Sequence, residues 1–172
     1  MGSNNLGIGH CNLYSNFTGF SNVAVGNNTL FNNETGTHNV AVGHLSLSSN
    51  NTGVNNTVVG VESALRSISG DENVYMGYDV VRNALTADAN VAIGSSNGSG
   101  LISTNSNVSI GFRGEASGGC SISIGAEAKA TAPNSHTYGC LSSNSGENSA
   151  VYGVGINNTG SNSFIFHNHI VK

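Results

Sequence analysis

Residues 22–43 read NVAVGNNTLFNNETGTHNVAVG, and the return of NVAVG after 17 residues decides the fold. Related anchors run along the 172-residue chain as GIG, NVAVG, NVAVG, NTVVG, NVYMG, NVAIG, NVSIG, SISIG, SHTYG, SAVYG and SFIFH. Their last residues are Gly9, Gly26, Gly43, Gly60, Gly77, Gly94, Gly111, Gly125, Gly139, Gly153 and His167; the first seven lie 17 apart and the remaining steps are 14. A fixed period is the signature of a solenoid, in which a repeat too small to bury its own apolar face stacks on its neighbours.

Each column of the repeat has a physical meaning. One residue before the anchor stand large apolar groups such as Ile8, Val25, Met76, Ile110 and Tyr152, and three before it stand mostly β-branched ones such as Val23, Val40 and Val108. Side chains alternate along a strand, so these two columns share one face, expected to be the interior wall. The column between them, with Ala24, Ala41, Val58, Tyr75, Ala92 and Ser109, is mostly small and apolar and carries no charge. A strand without charge on either face reads as buried on both, and this second face is expected to meet another chain.

Four residues before the anchor, Asn22, Asn39, Asn56, Asn73, Asn90 and Asn107 give way to Ser121, Ser135, Ser149 and Ser163. This is a corner column whose side chains can bond from coil to coil. In the longer repeats a second segment follows the anchor, as in HLSL or YDVVRNAL, and the turns at Gly19, Gly36, Gly53 and Gly70 are expected to need positive φ. Each coil then reads as two short strands joined by tight turns, and eleven coils make a rod roughly 50 Å long at ~4.8 Å each. The prediction is one continuous all-β domain, a β-roll with 17-residue repeats over 1–111 and 14-residue repeats over 112–167, with an end or junction at 168–172.

Composition narrows the function. Only 8% of residues are charged, the net charge is −4, and Arg66, Arg82 and Arg113 are the only Lys or Arg before Lys129. A nucleic-acid surface needs clustered cations to displace counterions, which excludes that class. No apolar run is long enough for a transmembrane helix, so no membrane insertion by this segment is expected, and no signal pattern opens the chain. Met1-Gly2-Ser3 reads as vector-derived, and the chain as a segment of a larger protein whose export signal or anchor lies elsewhere. Cys11, Cys120 and Cys140 make an odd count without metal-type spacing, and free thiols are expected.

Gly94-Ser95-Ser96-Asn97-Gly98 matches a nucleophile elbow by letter, but no helical pattern follows it and nothing assembles a triad. The chain is therefore not expected to be an enzyme. Calcium-binding rolls repeat an Asp in each glycine-rich nonapeptide, which this sequence lacks. An ice-binding rod would present a ladder of Thr, and no threonine-rich column is expected. The sequons at Asn16, Asn33 and Asn157 follow from composition alone. Residues 61–72, 78–89 and 95–106 break the pattern most and are expected to form ligand-reading loops, with Arg66, Tyr78, Asp79 and Arg82 as the binding residues.

Residues 107–166, with NVSIG, SISIGAEAKATAPNSHTYG and SAVYG, resemble the 14-residue repeats in the head of YadA-like trimeric autotransporter adhesins. The 17-residue stretch resembles an expanded repeat of bacterial surface proteins and of phage or large-virus fibre proteins. The resemblance implies a left-handed parallel β-roll (β-solenoid) of about eleven coils, packed as a homotrimer and displayed extracellularly on an outer-membrane-bearing cell or a virion. It also implies adhesion, through multivalent contacts with a host-cell surface glycan or extracellular matrix protein. The alternative is a structural fibre or spacer segment whose binding tip lies elsewhere. By strand alternation His167 and His169 continue the face of Ile165, so a trimer would gather six imidazoles at the rod's end. Such a ring resembles the octahedral iron sites of some phage fibre tips, and an axial transition metal is the one cofactor expected.

Overall fold

Each anchor forms a strand because β-branched residues alternate with small ones there and a glycine closes the run. In the computed structural model, which describes residues 2–98 and 104–166, the 17-residue part contributes β1 (Leu6–His10), β2 (Val23–Asn27), β3 (Val40–Val42), β4 (Thr57–Val59), β5 (Val74–Tyr78), β6 (Val91–Ser95) and β7 (Val108–Phe112). The 14-residue part contributes β8 (Glu115–Ala116), β9 (Ile122–Ile124), β10 (Lys129–Ala130), β11 (His136–Tyr138), β12 (Ser143–Asn144), β13 (Ala150–Tyr152), β14 (Asn157–Asn158) and β15 (Phe164–Phe166). The eleven anchor strands form one sheet in chain order, and β8, β10, β12 and β14 form a second. Every pairing is parallel, and the register joins equivalent columns, Ala24 to Ala41 and Ser109 to Ser123.

The chain is a parallel β-solenoid with no helix among the described residues. Eleven strands bound ten turns; one contains residues 99–103, so about nine turns lie wholly within the described residues.

Three expectations are corrected. Among the described residues, the segment after the anchor in the 17-residue coils is no strand; the second strand belongs to the 14-residue coils. The longer coils take up their extra residues in a turn with left-handed, non-glycine backbone at alternate positions, Asn28 (φ 53°) and Leu30 (φ 49°), Asp79 (φ 51°) and Val81 (φ 49°). Each such residue costs about 1 kcal/mol or more, and the burial of Leu30 and Val81 offsets it.

The second correction concerns which face looks inward. The small column is the interior: Ala24, Ala41, Val58, Ala92, Ser109, Ser123, Thr137 and Val151 are fully buried, with Leu30, Leu47 and Ala64 packed in the same core. The large residues before and after it stand outward, Ile8 at 55% exposure, Met76 at 41%, Ile110 at 36% and Phe166 at 68%. The reason is volume. A coil this thin holds one strand side chain beside its turn residues, small in most coils and Tyr75 in one, and two bulky columns would hold its walls apart.

Buried amides tie the corners together. Asn39 donates from Nδ2 to Asn22 Oδ1 (3.2 Å) and to the Gly53 carbonyl (2.8 Å), and Asn22 Oδ1 also accepts the Asn39 backbone N–H (3.0 Å). The same bonds recur at Asn56 and Asn73. A second ladder runs Asn16, Asn33, Asn50 and donates to the same glycine carbonyls, Asn33 to Gly36 at 3.0 Å. Gly19, Gly36, Gly53 and Gly70 do not take positive φ; a Cβ on Gly36 would collide with Asn33 Oδ1, the Gly53 carbonyl and Asn50 Nδ2. The anchor glycines take positive φ instead, Gly9 to Gly153, at 124° to 147°.

Candidate ligand-binding surfaces

The sequence singled out Arg66, Tyr78, Asp79 and Arg82 on loops expected to be irregular. Residues 61–72 and 78–89 instead repeat the path of the other coils: Glu62, Ala64 and Glu72 are left-handed where Asn28, Leu30 and His38 are, and Asp79, Val81 and Ala89 repeat them again. The ladder bonds continue through both coils. These segments differ from their neighbours in side chains and not in backbone.

Three of the four residues fall in one coil, and two pair with each other. Arg82 donates from Nε to Asp79 Oδ1 at 2.7 Å and also binds Glu62 of the preceding coil. The hydrogen bond and charge of Asp79 hold the Arg82 guanidinium above its ordinary range. All three side chains are partly exposed, so the cluster adds little stability. Asp79 and Arg82 line a shallow depression of about 210 Å³ with Asn83, Ser96 and Asn97. Tyr78 projects at 57% exposure and Arg66 is exposed, but neither lines it. Sequence reasoning missed Glu62, twenty residues from Arg82. Reading down the column two after each anchor, Glu62 directly below Asp79, would have found it.

Two further files of side chains reach solvent. Tyr138 stacks on Tyr152 with centroids 4.6 Å apart and Tyr152 on Phe166 at 4.8 Å, extending the outward column as an aromatic ladder. Partial burial, then the neighbouring Tyr152, raises the Tyr138 phenol above its usual value. Nine residues after the anchor, Thr18, Thr35, Thr52, Ser69 and Thr86 form a hydroxyl file, the threonine-rich column that the sequence was expected to lack. The backbone N–H groups of Thr18, Thr35, Thr52 and Ser69 donate in the same register to the coil above. It is one column wide, and its neighbours Phe17, Glu34, Ile68 and Leu85 break up any flat hydroxyl array. Asn33 is fully buried in its ladder, which removes that sequon as an acceptor, while Asn157 is exposed.

Among the described residues no group of three or more His, Cys, Asp or Glu side chains is placed to hold a metal ion; His167 and His169 lie outside those residues. The expectation for that pair rested on the Ile165 column facing another chain, and in the preceding coils that column, Thr137 and Val151, points inward. The three cysteines are free. No helix among the described residues is long and apolar enough to cross a membrane. No family model and no curated protein matches the chain.

Proposed function

We propose that this chain is an attachment module of the YadA-like kind: a left-handed roll of about eleven coils, three copies of which associate side by side into an extracellular rod on a cell or virion surface. The observation that carries the reading is the outward apolar face. Leu6, Ile8, Val40, Met76, Ile93, Ile110, Ile124, Phe164 and Phe166 are each more than a third exposed and lie in two adjacent columns from β1 to β15. A continuous apolar stripe of this extent marks an interaction surface, and a repeating stripe is matched in period by a second copy of the same chain.

A homotrimer presents three copies of every exposed cluster, so weak contacts to a host glycan or matrix protein multiply without high affinity at any one site. Light scattering tests the association: the expected particle is three times the 17.5 kDa chain, and a monomer at micromolar concentration overturns it. Retention of the purified protein on host cells and on glycan and matrix-protein arrays tests attachment. A spacer role is the second reading, favoured by the regular backbone of residues 61–72 and 78–89. Removing the two coils 57–90 separates the two, because a spacer keeps its host binding and a ligand-reading segment loses it.

A further inference from the structure

We propose that the groove where the period changes from 17 to 14 residues binds a sugar acid, a carboxylate carried on a hydroxyl-rich ring; this rests on the attachment reading and names its ligand class. The column two residues after each anchor runs Glu62, Asp79, Ser96, Arg113, Glu127 through this region. All five are left-handed, φ 51° to 55°, and all five donate their backbone N–H to the coil before, Arg113 to the Ser95 carbonyl at 3.1 Å and Glu127 to Phe112 at 2.8 Å. Their side chains therefore stand out from a fixed corner, one coil apart. Each 14-residue coil is three residues shorter than those before it, and across from this corner the short strands β8 and β10 present Glu115 and Lys129 in register. Ser96, Arg113, Glu115, Glu127 and Lys129 enclose a groove of about 360 Å³, within the range of small-ligand sites.

The cations of this surface are not equivalent. Arg82 is engaged by two carboxylates. Arg113 has no carboxylate within ion-pair distance among the described residues, and its guanidinium lies 4.9 Å over the Phe112 ring. That cation–π contact holds the guanidinium beside the ring, and without a carboxylate partner its N–H donors are open for bidentate contact with a ligand carboxylate. Lys129 meets Glu115 only at 3.9 Å with its side chain about half exposed, a contact a ligand can exchange.

The acidic residues set the ligand's chemistry. Glu115 and Glu127 offset the charges of Arg113 and Lys129, so the groove has no net positive charge to balance a phosphate or sulfate dianion, and the two carboxylates accept from hydroxyls. Ser96 adds a hydroxyl, and Phe112, 46% exposed, offers an apolar surface beside the guanidinium for the C–H face of a sugar ring. A single anionic group surrounded by hydroxyl donors fits this set.

The test titrates the full chain by calorimetry with N-acetylneuraminic acid and galacturonic acid, using galactose, inorganic phosphate and sulfate as comparisons. The expected result is binding of at least one acid, on the order of 1 mM per site, with galactose and both inorganic anions at least about tenfold weaker. Arg113→Ala should weaken the acid about tenfold and leave galactose unchanged, with Arg113→Lys in between, and Arg82→Ala should change nothing. Binding of neither acid, galactose binding as tightly as the better-bound acid, tighter binding of sulfate or phosphate, or full retention of acid binding by R113A overturns the proposal. If R113A melts early, Arg113→Gln, which keeps most of the side-chain stem and removes the charge, replaces it, and acid binding within twofold of wild type in that variant overturns the proposal equally. A protein that adheres to host glycans as strongly with R113A as without it removes this groove and leaves the attachment reading standing; a protein that binds neither host cells nor any sugar acid removes both.

Discussion

Asn56→Ala should be among the most damaging conservative truncations in the rod. The Asn56 amide is fully enclosed and makes four bonds that alanine cannot: Nδ2 to Asn39 Oδ1 (3.0 Å) and to the Gly70 carbonyl (2.7 Å), and Oδ1 from the Asn73 N–H (3.0 Å) and from Asn73 Nδ2 (3.0 Å). Its own backbone N–H keeps its bond to Asn39 Oδ1, so only the side chain's share is lost. At about 1 kcal/mol net per bond the loss is about 4 kcal/mol, and the Asn73 N–H is left buried without this acceptor. That is a large part of the 5–15 kcal/mol by which a typical domain is stable. Asn55→Ala, one residue earlier and exposed but at φ 58°, where asparagine is better tolerated than alanine, is the control and should cost about 1 kcal/mol. Denaturant midpoints give the totals. Native-state hydrogen exchange should show opening concentrated at Val40, Thr57 and Val74, whose N–H groups bond the ladder residues' carbonyls. A cost below about 1 kcal/mol for N56A, or equal costs for N55A and N56A, would show that the amide ladder does not hold the coils together.

Four further outcomes follow from other features. Met76→Arg combined with Ile110→Arg places cations on the outward stripe; light scattering should register a drop from trimer to monomer while circular dichroism keeps its β signature. Gly43→Ala drives a Cβ into the Gly60 carbonyl at φ 133° and should cost more than about 3 kcal/mol, whereas Gly119→Ala, with open space around it at φ 82°, should cost about 1 kcal/mol by denaturant midpoint. Tyr75→Phe should be neutral or stabilising at pH 7, since the buried hydroxyl has no hydrogen-bond partner. Burial holds the Tyr75 phenol above its ordinary value near 10, so its contribution is complete below about pH 10 and is lost as pH rises beyond it; the alkaline fall in urea midpoint should be smaller in Y75F, and identical profiles would contradict this.

The period and the corner ladder were legible because Asn22, Asn39 and Asn56 repeat at fixed spacing and amides stacked in register bond to one another. The orientation of the strands was not. Hydrophobicity ranks Val23 and Val25 above Ala24, and bulk normally goes inside, yet here the coil's cross-section selects the smaller residue. The turns were hidden for a related reason. Leu30 and Val81 are residue types that ordinarily avoid left-handed backbone, so their sequence reads as strand, and only the demand that a coil close within 17 residues bends it. The Glu62–Arg82 contact became visible only once consecutive coils were aligned.

The inter-coil bonds also determine how the rod answers a pull. They run along the rod's long axis, in series between one coil and the next, so tension applied to the two ends of a chain loads the outermost coil first and can peel it away before its neighbour yields. Each 17-residue coil released supplies roughly 58 Å of extended chain in place of ~4.8 Å of rod. A single chain can thus lengthen in steps under load and rewind by re-forming the same ladder, which makes the solenoid an extensible tether as well as a stiff one.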